Sequence, residues 1–131
     1  MFKKFFILLA MVALLFACQE SLENRAARES DEYTRKFCPV KINDNTTLDS
    51  LTFDIASHTF TRYFSIVTDS QSIQRAEEKK AYFAEELIKE VKLDTSLKPF
   101  KENGYAFRFV YRSADDPSFI LYDKTVTKEE Y

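Results

Sequence analysis

The 131-residue chain has no tryptophan, one glycine, one histidine, two cysteines and three prolines. A single glycine, Gly104, excludes a glycine-rich phosphate loop and a G-x-S-x-G nucleophile elbow. A single histidine, His58, leaves too few nitrogen ligands for a metal set, and the aspartates Asp44, Asp49, Asp115 and Asp116 lack the spacing of a calcium loop. No cofactor motif is present. Basic residues do not dominate, with 19 Lys plus Arg against 21 Asp plus Glu. A chain of that balance lacks the positive surface that nucleic-acid phosphates require. No apolar run reaches the ~20 residues of a membrane-spanning helix.

The longest apolar run is nonetheless informative. Lys3 and Lys4 precede an uncharged stretch from Phe5 to Ala17, and the sequence turns polar after Cys18. A basic head, a short apolar segment and a small residue before the break form a secretory signal. Its last four residues, Leu15-Phe16-Ala17-Cys18, resemble the lipobox of bacterial lipoproteins of the Gram-negative envelope type. The resemblance implies cleavage before Cys18, a diacylglyceryl thioether and an N-acyl group (palmitate-type chains) on Cys18, and a membrane anchor through it. Gln19 in place of Asp implies the outer membrane, on its periplasmic or surface face. Two rival readings remain: cleavage near Ala17 with a free Cys18, and an uncleaved anchor. Two or more acyl chains hold a protein stably to a bilayer, whereas one does not.

On the lipoprotein reading the expected organisation is a signal over 1–17, a tether over 18–24 and a single domain over 25–131. The 114 residues left after cleavage carry 17 basic and 21 acidic side chains, a net charge of −4. That length suits one compact domain. Cys38 then has no internal disulfide partner, and it reads as a small buried hydrophobe entering the fold.

Ala26, Tyr33 and Phe37, with Ser30 between them, fall at helical spacing among charged neighbours, and Pro39 ends that helix by holding Cys38 extended. The alternative for this segment is a charged spacer. Val40 to Ile42 suits a short strand before the Asn43-Asp44-Asn45-Thr46 turn. Leu51, Phe53 and Ile55 alternate with polar residues, as do Phe60, Phe64 and Ile66 with Arg62 as the exception, so a hairpin reverses at Ala56-Ser57-His58. One long helix capped by Asp69 or Ser70 carries the stripe Ile73, Ala76, Phe83, Leu87 and Val91. A further turn containing Pro99 ends at Gly104, where a left-handed cap leads into the alternating strand Tyr105 to Arg112. A last strand covers Phe119 to Tyr122, and Thr127 to Tyr131 read as an exposed end. The order predicts an α+β domain: about four mainly antiparallel strands in two hairpins, a long helix on one face and an N-terminal helix.

Residues Cys38-Pro39, Thr47-Leu48-Asp49-Ser50 and the strand Phe107 to Tyr111 make residues 30–126 similar to a loose group of small bacterial envelope proteins. That resemblance implies the element order and no activity. Two arginines on one strand face, Arg108 and Arg112, with Lys124 on the neighbouring strand, form a candidate stripe for an anionic partner such as a lipid or glycan phosphate, a peptidoglycan carboxylate or an acidic protein patch. The competing reading is a solvated sheet face with paired charges. Cys38 and His58 are the only residues that could build a Cys/His nucleophile. The functional expectation is a lipid-anchored envelope protein that works by binding, with an envelope protein or glycan as partner and an oligomeric state the sequence does not define. The alternative is a cystatin-like inhibitor or ligand-capturing domain with an aromatic cleft; an enzyme is the remote one.

Intact-mass measurement of the protein purified from membranes checks the first step: a chain beginning at an acylated Cys18 is expected, and retained residues 1–17 or an unmodified Cys18 would contradict it.

Overall fold

The computed structural model describes residues 20–131, so Leu15 to Cys18, including the expected lipid attachment at Cys18, lie outside the described residues. Helix α1 (Leu22–Phe37) starts where the Ser21 side chain accepts from the Asn24 amide at 3.1 Å, and Glu23 near its start and Arg35 and Lys36 near its end suit the helix dipole. It takes in residues 22–24, which the sequence assigns to the tether. It stops at Cys38, whose extended backbone (ψ 147°) precedes Pro39. The segment is thus a helix and not a spacer, anchored by buried Ala26 and Ser30.

Five strands follow in spatial order β1 to β5: β1 (Val40–Lys41), β2 (Thr46–Asp54), β3 (Thr59–Ile66), β4 (Ala106–Ser113) and β5 (Ile120–Val126). The α+β class and both hairpins are as expected, with β1 as a fifth, two-residue strand pairing Val40 with Leu48. Asn43 supports the turn into β2 by accepting from the amides of Asn45 and Thr46, each at 2.9 Å. With no glycine in the β2–β3 turn, His58 takes the left-handed conformation (φ 49°). The contacts holding it there are a 2.8 Å link from Nε2 to Glu23 and a stack on Tyr105 at 4.7 Å.

The two hairpins meet at β3 and β4, which run parallel. Parallel neighbours need a crossover, and here it is helical: α2 (Ser70–Glu78), α3 (Lys80–Leu93), a 3-10 turn (Thr95–Leu97) and α4 (Lys98–Glu102). The single long helix expected from the periodicity is two helices. The break at Lys79 (ψ 10°) falls in the Glu77-Glu78-Lys79-Lys80 run, where the apolar stripe is interrupted by Lys80. An Asp69–Ser72 capping box starts α2, which buries none of its residues, whereas α3 buries Leu87 and Val91. Gly104 has the left-handed φ of 75° that the end of α4 requires.

Residues paired across the parallel ladder share a face, so Phe60 lies beside Phe107 and Phe64 beside Tyr111. Their rings stack at 5.6 Å and 4.5 Å. Each such pair adds ~0.5–1.5 kcal/mol beyond area burial. The C-terminal segment is not an exposed end. The Tyr131 ring packs edge-on against Phe107, its hydroxyl donates to the Tyr105 carbonyl at 2.6 Å, and Glu130 binds Lys124. At the β2 edge, beyond the short β1, the Thr34 hydroxyl donates to the Leu51 carbonyl and accepts from the Leu51 amide, both at 2.8 Å.

These two hydrogen bonds set the cost of losing the Thr34 hydroxyl. Thr34→Val keeps the shape but strands both backbone groups of Leu51, and urea denaturation should show a loss of about 1–3 kcal/mol. Thr52→Val, on the opposite sheet face, should change stability by no more than ~0.5 kcal/mol.

Candidate functional site

Arg108 and Arg112 alternate with Phe107, Phe109 and Tyr111, so the pleat sends both arginines to the sheet face opposite the aromatic core. Each already has a carboxylate there. Arg108 meets Asp123 through Nε at 2.9 Å and Nη2 at 2.6 Å, and these hydrogen bonds hold the Asp123 carboxyl below its usual range. Arg112 lies over the Tyr63 ring at 4.9 Å, with Asp49 at 3.7 Å. Asp49 also accepts from the Ser65 hydroxyl. Lys124 does not join them. The β4–β5 register sets it opposite Phe109, on the helix-bearing face, where Nζ is 2.7 Å from Glu130. The expected stripe of Arg108, Arg112 and Lys124 is therefore not assembled, because the two-residue period of β5 puts Asp123 beside the arginines and Lys124 behind them.

Cys38 and His58 are not brought together either. Cys38 caps the C-terminal end of α1, while His58 binds Glu23 in its first turn. The helix between them separates the two by roughly 20 Å at 1.5 Å per residue. Burial, and then the nearby Asp49 charge, push the Cys38 thiol up, away from the thiolate that a nucleophile needs. Among the described residues no three His, Cys, Asp or Glu side chains converge as metal ligands, and no described helix is long and apolar enough to cross a membrane.

The helix-bearing face holds the candidate site. α1 rests on β2 and α3 reaches toward β5. Between them lies a cleft of about 510 Å³. Its floor is the stacked core: Leu48, Leu51, Phe60, Phe64, Phe107, Phe109 and Tyr111. Glu29, Ser30 and Tyr33 of α1 form one wall, and Glu90, Leu97 and Phe100 the other. Its volume lies within the ~300–1,000 Å³ of ligand pockets, and an apolar lining with few polar groups is their usual composition.

Two of those polar groups stand out. Ser30 is 2 % exposed, and its hydroxyl has no hydrogen-bond partner. An unmet buried hydroxyl costs about 1–3 kcal/mol, which a bound acceptor or donor would recover. Arg62 lies 5.4 Å from the centre of the Phe109 ring and reaches Glu90 at 3.1 Å. Burial, and then the Glu90 charge, push the Tyr111 hydroxyl up to about 12. Nothing in this arrangement pairs a nucleophile with a base. It can hold apolar side chains or chains and meet one or two of their polar groups.

The tyrosines Tyr63, Tyr111 and Tyr122 do not converge on one pocket. Tyr63 lies on the opposite face, and only Tyr111 lines the cleft. The residues that do mark the site, Ser30 and Arg62, each interrupt an otherwise apolar stripe in the sequence, as Lys80 does elsewhere. Their shared location needed the helix-to-sheet geometry.

Comparison with known proteins gives a family and a fold. The family described as "Domain of unknown function (DUF8479)" matches residues 21–122. A search of curated proteins finds no match. Among solved structures, a presumed secreted protein of Pseudomonas aeruginosa is 10 % identical with a TM-score of 0.67, covering 86 % of this chain and 98 % of that one. The type II secretion pilotin EpsS of Vibrio vulnificus is 13 % identical with a TM-score of 0.55, covering 83 % and 90 %. The corresponding pilotin AspS of Vibrio cholerae is 12 % identical with a TM-score of 0.54, covering 84 % and 92 %. At these identities the likeness is one of fold.

The raised Tyr111 hydroxyl has a testable consequence. Above pH 10 the unfolded chain gives up this proton before the folded one does, so stability should fall as pH rises from about 10 to about 12. Denaturation midpoints across that range should show the decline, and Tyr111→Phe should make it shallower.

Proposed function

The chain belongs to the family described as "Domain of unknown function (DUF8479)", and we propose that it is a non-catalytic accessory protein of the bacterial cell envelope, whose cleft between α1 and α3 holds an apolar segment of a protein partner. The observation that carries this reading is the cleft itself, a cavity of about 510 Å³ lined by the buried aromatic rings of the core and by the buried, unpartnered Ser30 hydroxyl. The separation of Cys38 from His58 and the raised Cys38 thiol remove the one nucleophile pair the chain offers.

Location supports the same reading. The lipobox-like Leu15 to Cys18 would tether the domain to the outer membrane through acyl chains on Cys18, a few residues before α1 begins. Solved proteins of this fold include pilotins of type II secretion systems. Of the two functional classes the sequence left open, the cleft favours capture of a partner segment; on the arginine face Asp123 holds Arg108 by two hydrogen bonds, while Arg112 lies 3.7 Å from Asp49 with its buried Nε unpartnered.

The test fills the cleft without touching its rim. A photo-crosslinking residue at Tyr33 or Ser96, one on each side of the mouth, should give a defined adduct in the native envelope, and Ser30→Leu should lower its yield at least tenfold while the thermal unfolding midpoint holds. An adduct insensitive to Ser30→Leu would sink the cleft as the binding site.

A further inference from the structure

The two edges of the sheet are built differently. At one edge β1 covers the start of β2, and Thr34 satisfies Leu51 beyond it. At the other edge stands β5, seven residues long. Ala106 and Ala114 turn their amides toward β3, bonding His58 and Ile66, while Ser113 turns its amide toward Phe119 on the β5 side. Backbone direction alternates along a strand, so Phe107, Phe109 and Tyr111 face β5, and their partners Val126, Lys124 and Tyr122 face inward. Asp123 and Thr125 therefore direct their amides and carbonyls outward, and no hydrogen bond among the described residues reaches those groups.

Natural sheets guard such an edge with proline, a bulge toward solvent or a charged side chain, lysine above all. β5 has one irregularity, at Leu121 near its start, which leaves the stretch from Tyr122 to Val126 in regular register, and its two charges are both paired. Lys124 is bound to Glu130 on one face and Asp123 to Arg108 on the other. Beside the edge, Phe119 is 46 % exposed and Ile120 51 %. α2 packs along β5, yet it buries none of its residues and leaves Ile73 in solvent.

We propose that the outer edge of β5, beneath α2, is a docking site for an extended segment of a partner protein, which adds to the sheet as a sixth strand. Only another strand satisfies a row of outward amides and carbonyls, and the two faces define its side chains. Residues on the α2 side lie beside Tyr122 and Ile73 and are apolar; those on the other side lie beside Asp123 and Thr125 and are polar. A second copy of this chain fits poorly. The symmetric antiparallel pairing with full overlap is centred on Asp123 and sets two Asp123 carboxylates opposite each other, a destabilising arrangement. This site is separate from the cleft and does not depend on it.

The probe is a synthetic seven-residue peptide of alternating valine and threonine with a terminal lysine, and a control N-methylated on its edge-facing amides. Added to the folded protein, the unmodified peptide should slow exchange of the Asp123 and Thr125 amides at least tenfold, and the N-methylated one should not. Thr125→Pro, which removes an outward donor and leaves the inward ladder intact, should weaken binding at least tenfold. Ser30→Leu should leave it unchanged. Equal binding of both peptides, no protection at Asp123 and Thr125 at millimolar peptide, or occupation of β5 by a second copy in sedimentation and crosslinking would each overturn the proposal.

Discussion

The parallel contact between β3 and β4 is the constraint on which the rest of the structure depends. It places Phe60 beside Phe107 and Phe64 beside Tyr111, and their rings stack nearly parallel. Because parallel neighbours cannot be joined by a tight turn, the chain must spend the residues between them on a helical crossover. That crossover supplies α3 and α4, and α1 arrives separately from the N-terminal side. Two independent helix groups on one sheet leave a seam. The cleft is that seam, and its floor is the aromatic ladder that the parallel pairing created.

The polar residues in the seam follow from the same geometry. Arg62 occupies an aromatic face because its strand position requires it, and it is tolerated through Glu90 and the Phe109 ring. Ser30 lies buried on the sheet-facing side of α1, between Ala26 and Tyr33 on one helical stripe. The serine keeps a small side chain there, with a buried hydroxyl that has no partner among the described residues.

Much of the fold is legible in the sequence, and particular residues show why. Alternation in Phe107 to Arg112 is unmistakable, since both faces differ sharply in polarity. Pro39, Asp69 and Gly104 mark boundaries because each has a local backbone reason to be there. The break at Lys79 is less legible, because a charged residue in an apolar stripe is also what a solvated helix turn looks like. The docked C-terminal segment is hidden for a different reason: Tyr131 and Glu130 act through Phe107, Tyr105 and Lys124, contacts that exist only once β5 is in register. The candidate site divides in the same way. Sequence alternation places Arg108 and Arg112 on one face, but only the register of β5 shows that Asp123 meets one of them and that Lys124 is on the other side. The cleft joins α1, β2, β3, β4 and the crossover, and no local pattern spans those elements.

The central claim is that the cleft, not the arginine-bearing face, carries the binding function. Hydrogen exchange of the protein in isolated native envelopes, compared with the purified domain, measures this directly. Added protection over residues 29–33 of α1 and 95–100 around α4 is the predicted result. Unchanged exchange over both cleft walls in the native envelope, with added protection only elsewhere in the domain, would contradict it.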